Sequence, residues 1–389
     1  MRSIIIRILC ALACLMLAFA GAAFAGTAET VISVESRGLE LGESSVEYPV
    51  ITGMEDEELQ DAVNIRILED TKITERLTRM SQLISEGYIR VTWTGGIAGD
   101  GIFSCAVSAE GALETARNTH EWTWSNIDLK DGHEITMDEL FTDPAAAAAA
   151  MESYMEEKVA PELSAHLLNS ELTPLPEGFR LTGTGIILLY PAERLCTLGD
   201  RAGAVRIGWN ELRDTLDLED GSILSRMGVR EMTETGEHTA EALEKMTAEG
   251  ALPDIPAVLG ESLKEKTDEY GMLTDPDVYE DGRMFALDGA EFRSVFLLTD
   301  FLSEEWDSSV IQGIRADEGC FWGLCIGTTE RREWQMLLGE PDSEIEFDED
   351  RAEAYRTVPG ICDYYTFGSR QLRLYSGRDG RLISVILTE

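Results

Sequence analysis

The chain has 389 residues, enough for two ordinary cores at about 100–200 residues each, and carries 73 acidic against 32 basic residues, a formal net charge of −41. The acids run from Glu29 to Glu389 with no compensating basic block. Nucleic acid is thereby excluded as a partner, because a polyanion is held by a basic stripe that neutralises phosphates. A surface of this sign draws cationic partners, or simply keeps the protein soluble.

The chain opens like a secretory leader. Arg2 and Arg7 flank the start of an apolar run from Ile8 to Ala20, and Ala23-Phe24-Ala25 supplies the small-x-small site of signal peptidase. The run is shorter than the roughly 20 residues that span a bilayer. Cleavage near Ala25 is expected, giving a secreted or cell-envelope product with no transmembrane segment. Losing the leader, with its two arginines and no acid, takes the net charge from −41 to −43. It also removes Cys10 and Cys14, leaving Cys105, Cys196, Cys320, Cys325 and Cys362. Five is odd, so at least one thiol has no intramolecular partner. Strand-like apolar surroundings favour buried free thiols over bridges, and the C-x4-C spacing of Cys320 and Cys325, without a second pair or a nearby histidine, argues against zinc.

Two extended runs follow the leader, Thr30 to Val34 and Val46 to Ile51. One long helix is predicted next. Acids from Glu55 to Glu58 suit its start, Leu59, Val63, Ile67, Ile73, Leu77, Met80 and Ile84 recur at helical spacing, and Gly87 can end it. Tyr88 to Trp93 and Ile102 to Val107 flank a glycine-rich stretch, Gly95 to Gly101, which reads as a flexible hairpin tip. No Lys-Ser/Thr follows it, so it is not a phosphate cradle. A second hairpin signal runs from Trp122 through Leu129, across Asp131-Gly132, to Ile135.

Asp143-Pro144 is a cap followed by a first-turn proline, opening an alanine-rich helix that reaches at least Val159 before Pro161. Strands are predicted at Phe179 to Thr182, Ile186 to Tyr190 and Ala204 to Ile207, with Asn210 capping a short helix. The order describes an α+β domain over residues 26–218, with helices on one face of an antiparallel sheet. Residues 219–253 form a polar connector containing a helix from His238 to Ala248. Residues 254–389 read as a second α+β domain built from a weak tandem repeat. In each copy a helix, near Leu263 or after Thr329, precedes three strands: Met284 to Leu287, Phe292 to Leu298 and Val310 to Ile314, then Tyr364 to Phe367, Leu372 to Tyr375 and Leu382 to Leu387.

Two resemblances emerge from these residues. Tyr48-Pro49 with Val50 and Ile51, Asn64-Ile65, Ile127-Asp128-Leu129 with Asp131-Gly132, the run from Ile135 to Phe141, and Gly203-x-Val205-x-Ile207 before Leu212 make residues 30–218 similar to the RsiV-like extracytoplasmic domain. That domain, of unknown function, also accompanies some peptidoglycan deacetylases. The resemblance implies sensing or binding at the cell wall, with lysozyme the ligand in one branch. The second half resembles β-lactamase-inhibitor-like tandem repeats through Ile326-Gly327-Thr328-Thr329 and Leu338-Gly339-Glu340-Pro341-Asp342.

Catalytic equipment is not visible. His120, His133, His166 and His238 are the only histidines, and none forms a zincin pair. No G-x-S-x-G elbow or S-x-x-K motif offers a serine nucleophile. Asp275, Asp277, Glu280 and Asp281 before Gly282 resemble a calcium loop, but the glycine falls later than the sixth position. No metal and no cofactor is expected. Trp122 and Trp124 share a strand face with Trp93 nearby, an aromatic stripe able to stack on glycan rings or to fill a core. The sequence therefore describes an exported, non-catalytic binding protein of the cell envelope. Its expected partner is a cationic protein such as a lysozyme-like muramidase, or cell-wall glycan. The alternatives are an accessory or degenerate peptidoglycan-acting enzyme and a structural or assembly protein.

Overall fold

The structure is a computed structural model, described over residues 32–82, 87–113, 119–163, 174–190, 203–234, 236, 238–279, 282–300 and 308–389. The leader, Cys196 and His166 lie outside these residues, as do Glu280 and Asp281. Among the described residues no helix is long and apolar enough to cross a membrane.

The fold is α+β. Its first sheet runs in order β1 (Ser33–Leu41), β2 (Ser44–Thr52), β3 (Gly87–Ala98), β4 (Ile102–Leu113) and β5 (Thr119–Asp128). All pairs are antiparallel except β2 with β3. One face is covered by α1 (Glu57–Asp70) and α2 (Ile73–Gln82), burying Val46, Ile51, Val63, Ile67, Ile73, Met80, Phe103 and Val107. The Asp56 carboxylate accepts from the Leu59 amide at 3.0 Å and so caps α1, with Glu57 and Glu58 in the positive first turn. The single helix expected here breaks at Thr71, whose hydroxyl turns back to the Ile67 carbonyl. Lys72 follows at φ 53°, a left-handed conformation that ends a helix.

The glycine-rich tip between β3 and β4 is pinned rather than loose. Asp100 N donates to the Arg226 carbonyl at 2.8 Å. Gly99 has φ +59°, and a Cβ there would lie 2.2 Å from that same carbonyl, so only glycine permits the approach.

The other face of the first sheet receives a smaller antiparallel sheet, β6 (Gly178–Leu181), β7 (Gly185–Leu189) and β8 (Ala204–Gly208). Side chains stitch the two together. Ser104 Oγ accepts from Leu181 N at 2.7 Å, and Asn126 Nδ2 donates to the Phe179 carbonyl at 3.0 Å. Behind the smaller sheet lies α3 (Pro144–Tyr154), where the Asp143 carboxylate caps the amides of Ala145 and Ala146 and Pro144 fills the first turn. A π-helical turn, Met155–Val159, follows before Pro161. It makes room for a residue that cannot donate an intrahelical bond. Asn210 lies inside a 3₁₀ segment, Trp209–Thr215, that starts from Gly208 and is not capped by it.

Residues 219–253 are more than a polar connector. They form α4 (Ile223–Arg226), α5 (Val229–Thr233) and α6 (Thr239–Glu249). Leu224 and Val229 are buried in the first half's core, Leu243 and Met246 in the second's. That second half is one eight-stranded antiparallel sheet. α7 (Leu263–Tyr270) precedes the meander β9 (Asp277–Tyr279), β10 (Gly282–Ala286), β11 (Val295–Thr299) and β12 (Gly313–Ala316). A two-residue hairpin, β13 (Cys320–Phe321) and β14 (Leu324–Cys325), leads to α8 (Arg331–Leu338), then to β15 (Ser343–Phe347), β16 (Gly360–Phe367), β17 (Arg370–Gly377) and β18 (Leu382–Thr388). The two meanders meet through β12 and β18. Each helix precedes four strands, where three were expected. The omitted strands, β9 and β15, are edge strands whose residues are largely exposed, so they carry little apolar signal.

The expectation of free thiols needs correction at one pair. Cys320 and Cys325 face each other across β13–β14 and form a disulfide. Trp322 and Gly323 both have positive φ, as the tight hairpin turn requires. Cys105 and Cys362 are free and buried, and burial pushes both thiols up to about 12.

Candidate functional site

Where the two halves meet, a cleft of about 390 Å³ opens over the Trp122 face of the first sheet. One wall carries Trp93, Ala106, Ser108 and Trp122 from β3 to β5, with Ile187 and Leu189 from β7. The opposite wall carries Asp268, Glu269 and Tyr270 from the end of α7, and Asp288, Gly289 and Glu291 from the turn between β10 and β11. Glu47 of β2 also borders it. The cleft continues into a second hollow of about 570 Å³, past Trp93, Arg180, Tyr270 and Glu291 to Asp254 and the glycine-rich tip.

Among the described residues lining the first hollow Arg180 is the one cation, and it is already spent. Its guanidinium donates to Glu291, with the side chains 8% and 14% exposed. Five carboxylates thus border the cleft with two indoles and a phenol among them, Glu291 paired with Arg180, Asp268 with Lys264 at 2.6 Å and Glu269 with Lys266 at 3.9 Å. Tyr270 stacks edge-on to Phe292 at 4.8 Å, and burial raises its hydroxyl pKa, so it remains a neutral donor.

The three tryptophans separate. Register places Trp122 beside Ser108 and Trp124 beside Ala106, both on the cleft face, while Trp93 pairs with Val107 on the helix face. Trp93 packs against the core beneath α1 and α2, its Nε1 donating to Ser36 Oγ at 3.0 Å, yet it still borders the cleft. Trp124 lies against Gly178, where a Cβ would come within 2.6 Å of its ring. It joins Ala106, Ile187 and Leu189 in a small apolar cluster between the sheets.

A contact invisible in the sequence is that between Ser108 Oγ and His120 Nε2 at 2.7 Å. A serine needs an oriented base and an oxyanion site to act as a nucleophile. Ser108 lies in β4, a central strand paired on both sides with Thr92 and Trp122, so its backbone serves the sheet. His120 in turn meets Trp122 edge-on at 5.1 Å and buttresses the indole at the rim of the cleft.

Asp128, Asp131 and His133 bring possible ligand atoms within 4.8 Å of one another, but this cluster neutralises itself. Arg226 donates to both oxygens of Asp128, while His133 bonds Asp131 at 2.8 Å and Glu139 at 3.2 Å. Asp277 of the calcium-like stretch lies in β9 and pairs with Arg356 at 3.0 Å. The hydrogen bond to Asp131 raises the His133 pKa above the ordinary imidazole value. A raised folded pKa stabilises below about pH 6.5 and loses its effect as pH climbs through the folded value. Because the ring is 40% exposed, the gain is screened and worth about 0–1 kcal/mol. Denaturation of His133→Ala should show a deficit of that size at pH 5.5 that vanishes at pH 8.5, while a deficit equal at both would remove the charge argument.

No known protein family matches the chain. No curated protein matches it either, so the two sequence resemblances stand without a family match. Among solved structures the chain is similar to a DUF3298-family protein of Bacteroides fragilis, at 13% identity and TM-score 0.41, over 51% of this chain and 98% of that one. It is also similar to a DUF3298-family protein of Pseudomonas aeruginosa, at 14% and 0.35, over 49% and 96%. A DUF4309-family protein of Bacillus subtilis follows at 12% and 0.26, over 39% and 97%. Both families are domains of unknown function, and likenesses this distant bring neither residues nor a role to this chain.

Proposed function

We propose that this chain is a non-catalytic binding protein of the bacterial cell envelope that receives a cationic segment of a partner protein in the cleft between its halves. One observation carries the reading: Glu47, Asp268, Glu269, Asp288 and Glu291 border the cleft together with Trp93, Trp122 and Tyr270, and among the described residues lining it the one arginine is already paired with Glu291. Carboxylates beside aromatic faces suit Lys and Arg side chains, which gain both charge pairing and cation–π attraction of about 0.5–2 kcal/mol. The long-range field of a chain at −41 adds steering toward cations. The secretory leader and the RsiV-like resemblance of residues 30–218 support a wall location, and a basic muramidase of the lysozyme type is the partner they favour.

The test compares the full secreted chain with a variant carrying Glu47→Gln, Asp268→Asn and Asp288→Asn, and with Trp122→Ala. Affinity for a basic muramidase should fall about tenfold, or ~1.4 kcal/mol, in each. It should also weaken as salt rises, since the Debye length is only about 8 Å at physiological ionic strength. An unrelated basic protein of similar charge should bind more weakly and should not respond to Trp122→Ala. Equal binding of both proteins, insensitive to the cleft variants, would reduce the interaction to diffuse charge.

A further inference from the structure

A third hollow, of about 270 Å³, lies between the halves apart from the acidic cleft. It is bordered by Tyr154 and Lys158 at the π-helical turn, by Arg206 of β8, and by Arg293 and Glu318 from the second half. Cross-strand register sets Arg180, Ile187 and Arg206 in a row on one face of the small sheet. The two arginines at its ends are treated differently. Arg180 is paired with Glu291, whereas Arg206, only 8% exposed, has its Nη2 buried without a hydrogen-bond partner. Burial pulls the Arg206 pKa down, and the more distant carboxylates of Asp254, Glu291 and Glu318 only partly offset this.

A buried guanidinium with an unmet donor is costly unless a partner supplies the missing acceptor. The acids bordering the hollow are largely committed elsewhere. Arg315 grips Asp317 through two bonds of 2.7 and 2.8 Å. Glu318 lies 3.7 Å from Arg293 and accepts from the Tyr154 hydroxyl at 3.3 Å. Among the described residues bordering the hollow, this leaves Arg206 and exposed Lys158 against Glu211, a small local excess of positive charge within a strongly acidic protein.

We propose that Arg206 anchors a binding site for the carboxylate of a small organic ligand, with Lys158 as the second cation. The planar fork of a guanidinium matches the two oxygens of a carboxylate. A monoanion is favoured over phosphate, because a doubly charged group would also meet Glu211, Asp317 and Glu318. The hollow lies just below the roughly 300–1,000 Å³ of drug-sized sites, which suits a ligand of a few heavy atoms beyond the carboxylate.

The test is thermal denaturation of the full chain at pH 7 and fixed ionic strength, with sodium acetate or inorganic phosphate replacing sodium chloride. Acetate should raise the melting temperature in a saturable way, as a ligand of the native state does. Arg206→Met should abolish that response and, having lost an uncompensated buried charge, melt no lower than the parent in chloride. Lys158→Gln, a surface change, should fold normally and shift the half-saturating acetate concentration severalfold upward. Absence of an acetate response in the parent, its retention in Arg206→Met, or a phosphate response as large as that of acetate overturns the proposal. If Arg206→Met does not fold, an unchanged acetate midpoint in Lys158→Gln overturns it.

Discussion

Replacing Asp363 with alanine is expected to cost about 3–5 kcal/mol of stability, the range for removing one partner of a buried ion pair. The Asp363 side chain is wholly buried on β16 and collects donors from one face of α8. Arg331 reaches it through Nε at 2.9 Å and Nη2 at 2.5 Å, Trp334 Nε1 at 2.9 Å, and Gln335 Nε2 at 3.3 Å. Alanine would leave the fully buried indole N–H of Trp334 without an acceptor and Arg331 with only the exposed Glu344. Asn preserves shape and one acceptor, so Asp363→Asn should recover part of the loss. Urea midpoints with unchanged slope would measure both. A loss below about 1 kcal/mol in the alanine variant would mean that the network does not hold α8 to the sheet.

Arg226→Met should cost a similar ~3–5 kcal/mol, because this side chain joins three distant segments. It donates to both oxygens of Asp128 at the end of β5 and to the carbonyl of Asp100 in the glycine-rich tip, while its own carbonyl receives Asp100 N. The pair is shielded, at 11% and 6% exposure. Burial alone would raise the Asp128 pKa, but the Arg226 hydrogen bond, the Lys130 amide and the charges of Arg226 and His133 together outweigh it, and the carboxyl lies below its ordinary value. A depressed folded pKa stabilises above the ordinary value near 3.9 and is lost as pH falls through the folded one. The gap between parent and variant should therefore be widest near neutrality and narrow below about pH 4. A gap independent of pH would assign the loss to packing of the arginine stem alone.

The contrast between these networks and the sequence shows what could be read in advance. Asp143-Pro144 and the strands of β4 to β8 were legible because caps and alternation are local signals. The break at Thr71–Lys72 was not, since Leu77 and Met80 keep helical spacing across it. Gly99 read as a loose tip because its partner, the Arg226 carbonyl, lies over a hundred residues away. Cys320 and Cys325 gave no spacing signal for a bridge until the turn at Trp322-Gly323 set them opposite each other.

The candidate site was only half visible. Trp122 and Trp124 stand out as an alternating aromatic pair, and register does put them on one face. The acids that give the cleft its character come from α7 and from the turn holding Asp288 and Glu291, in the other half of the chain. Within a chain of 73 acids no spacing marks those few as special. Arg206 likewise reads as the polar member of a Val-Arg-Ile strand, and its burial arises only when the second half packs over β8.

The cleft reading is tested most directly by hydrogen exchange of the full chain with and without a basic muramidase, because the method reports where binding occurs. Slowed exchange should concentrate at the end of α7, in the 286–292 turn and along β5 around Trp122, and should disappear in the variant lacking the Glu47, Asp268 and Asp288 charges. A complex that forms while leaving those segments unprotected, or that protects acidic surfaces across the whole chain evenly, would contradict the cleft as the binding site.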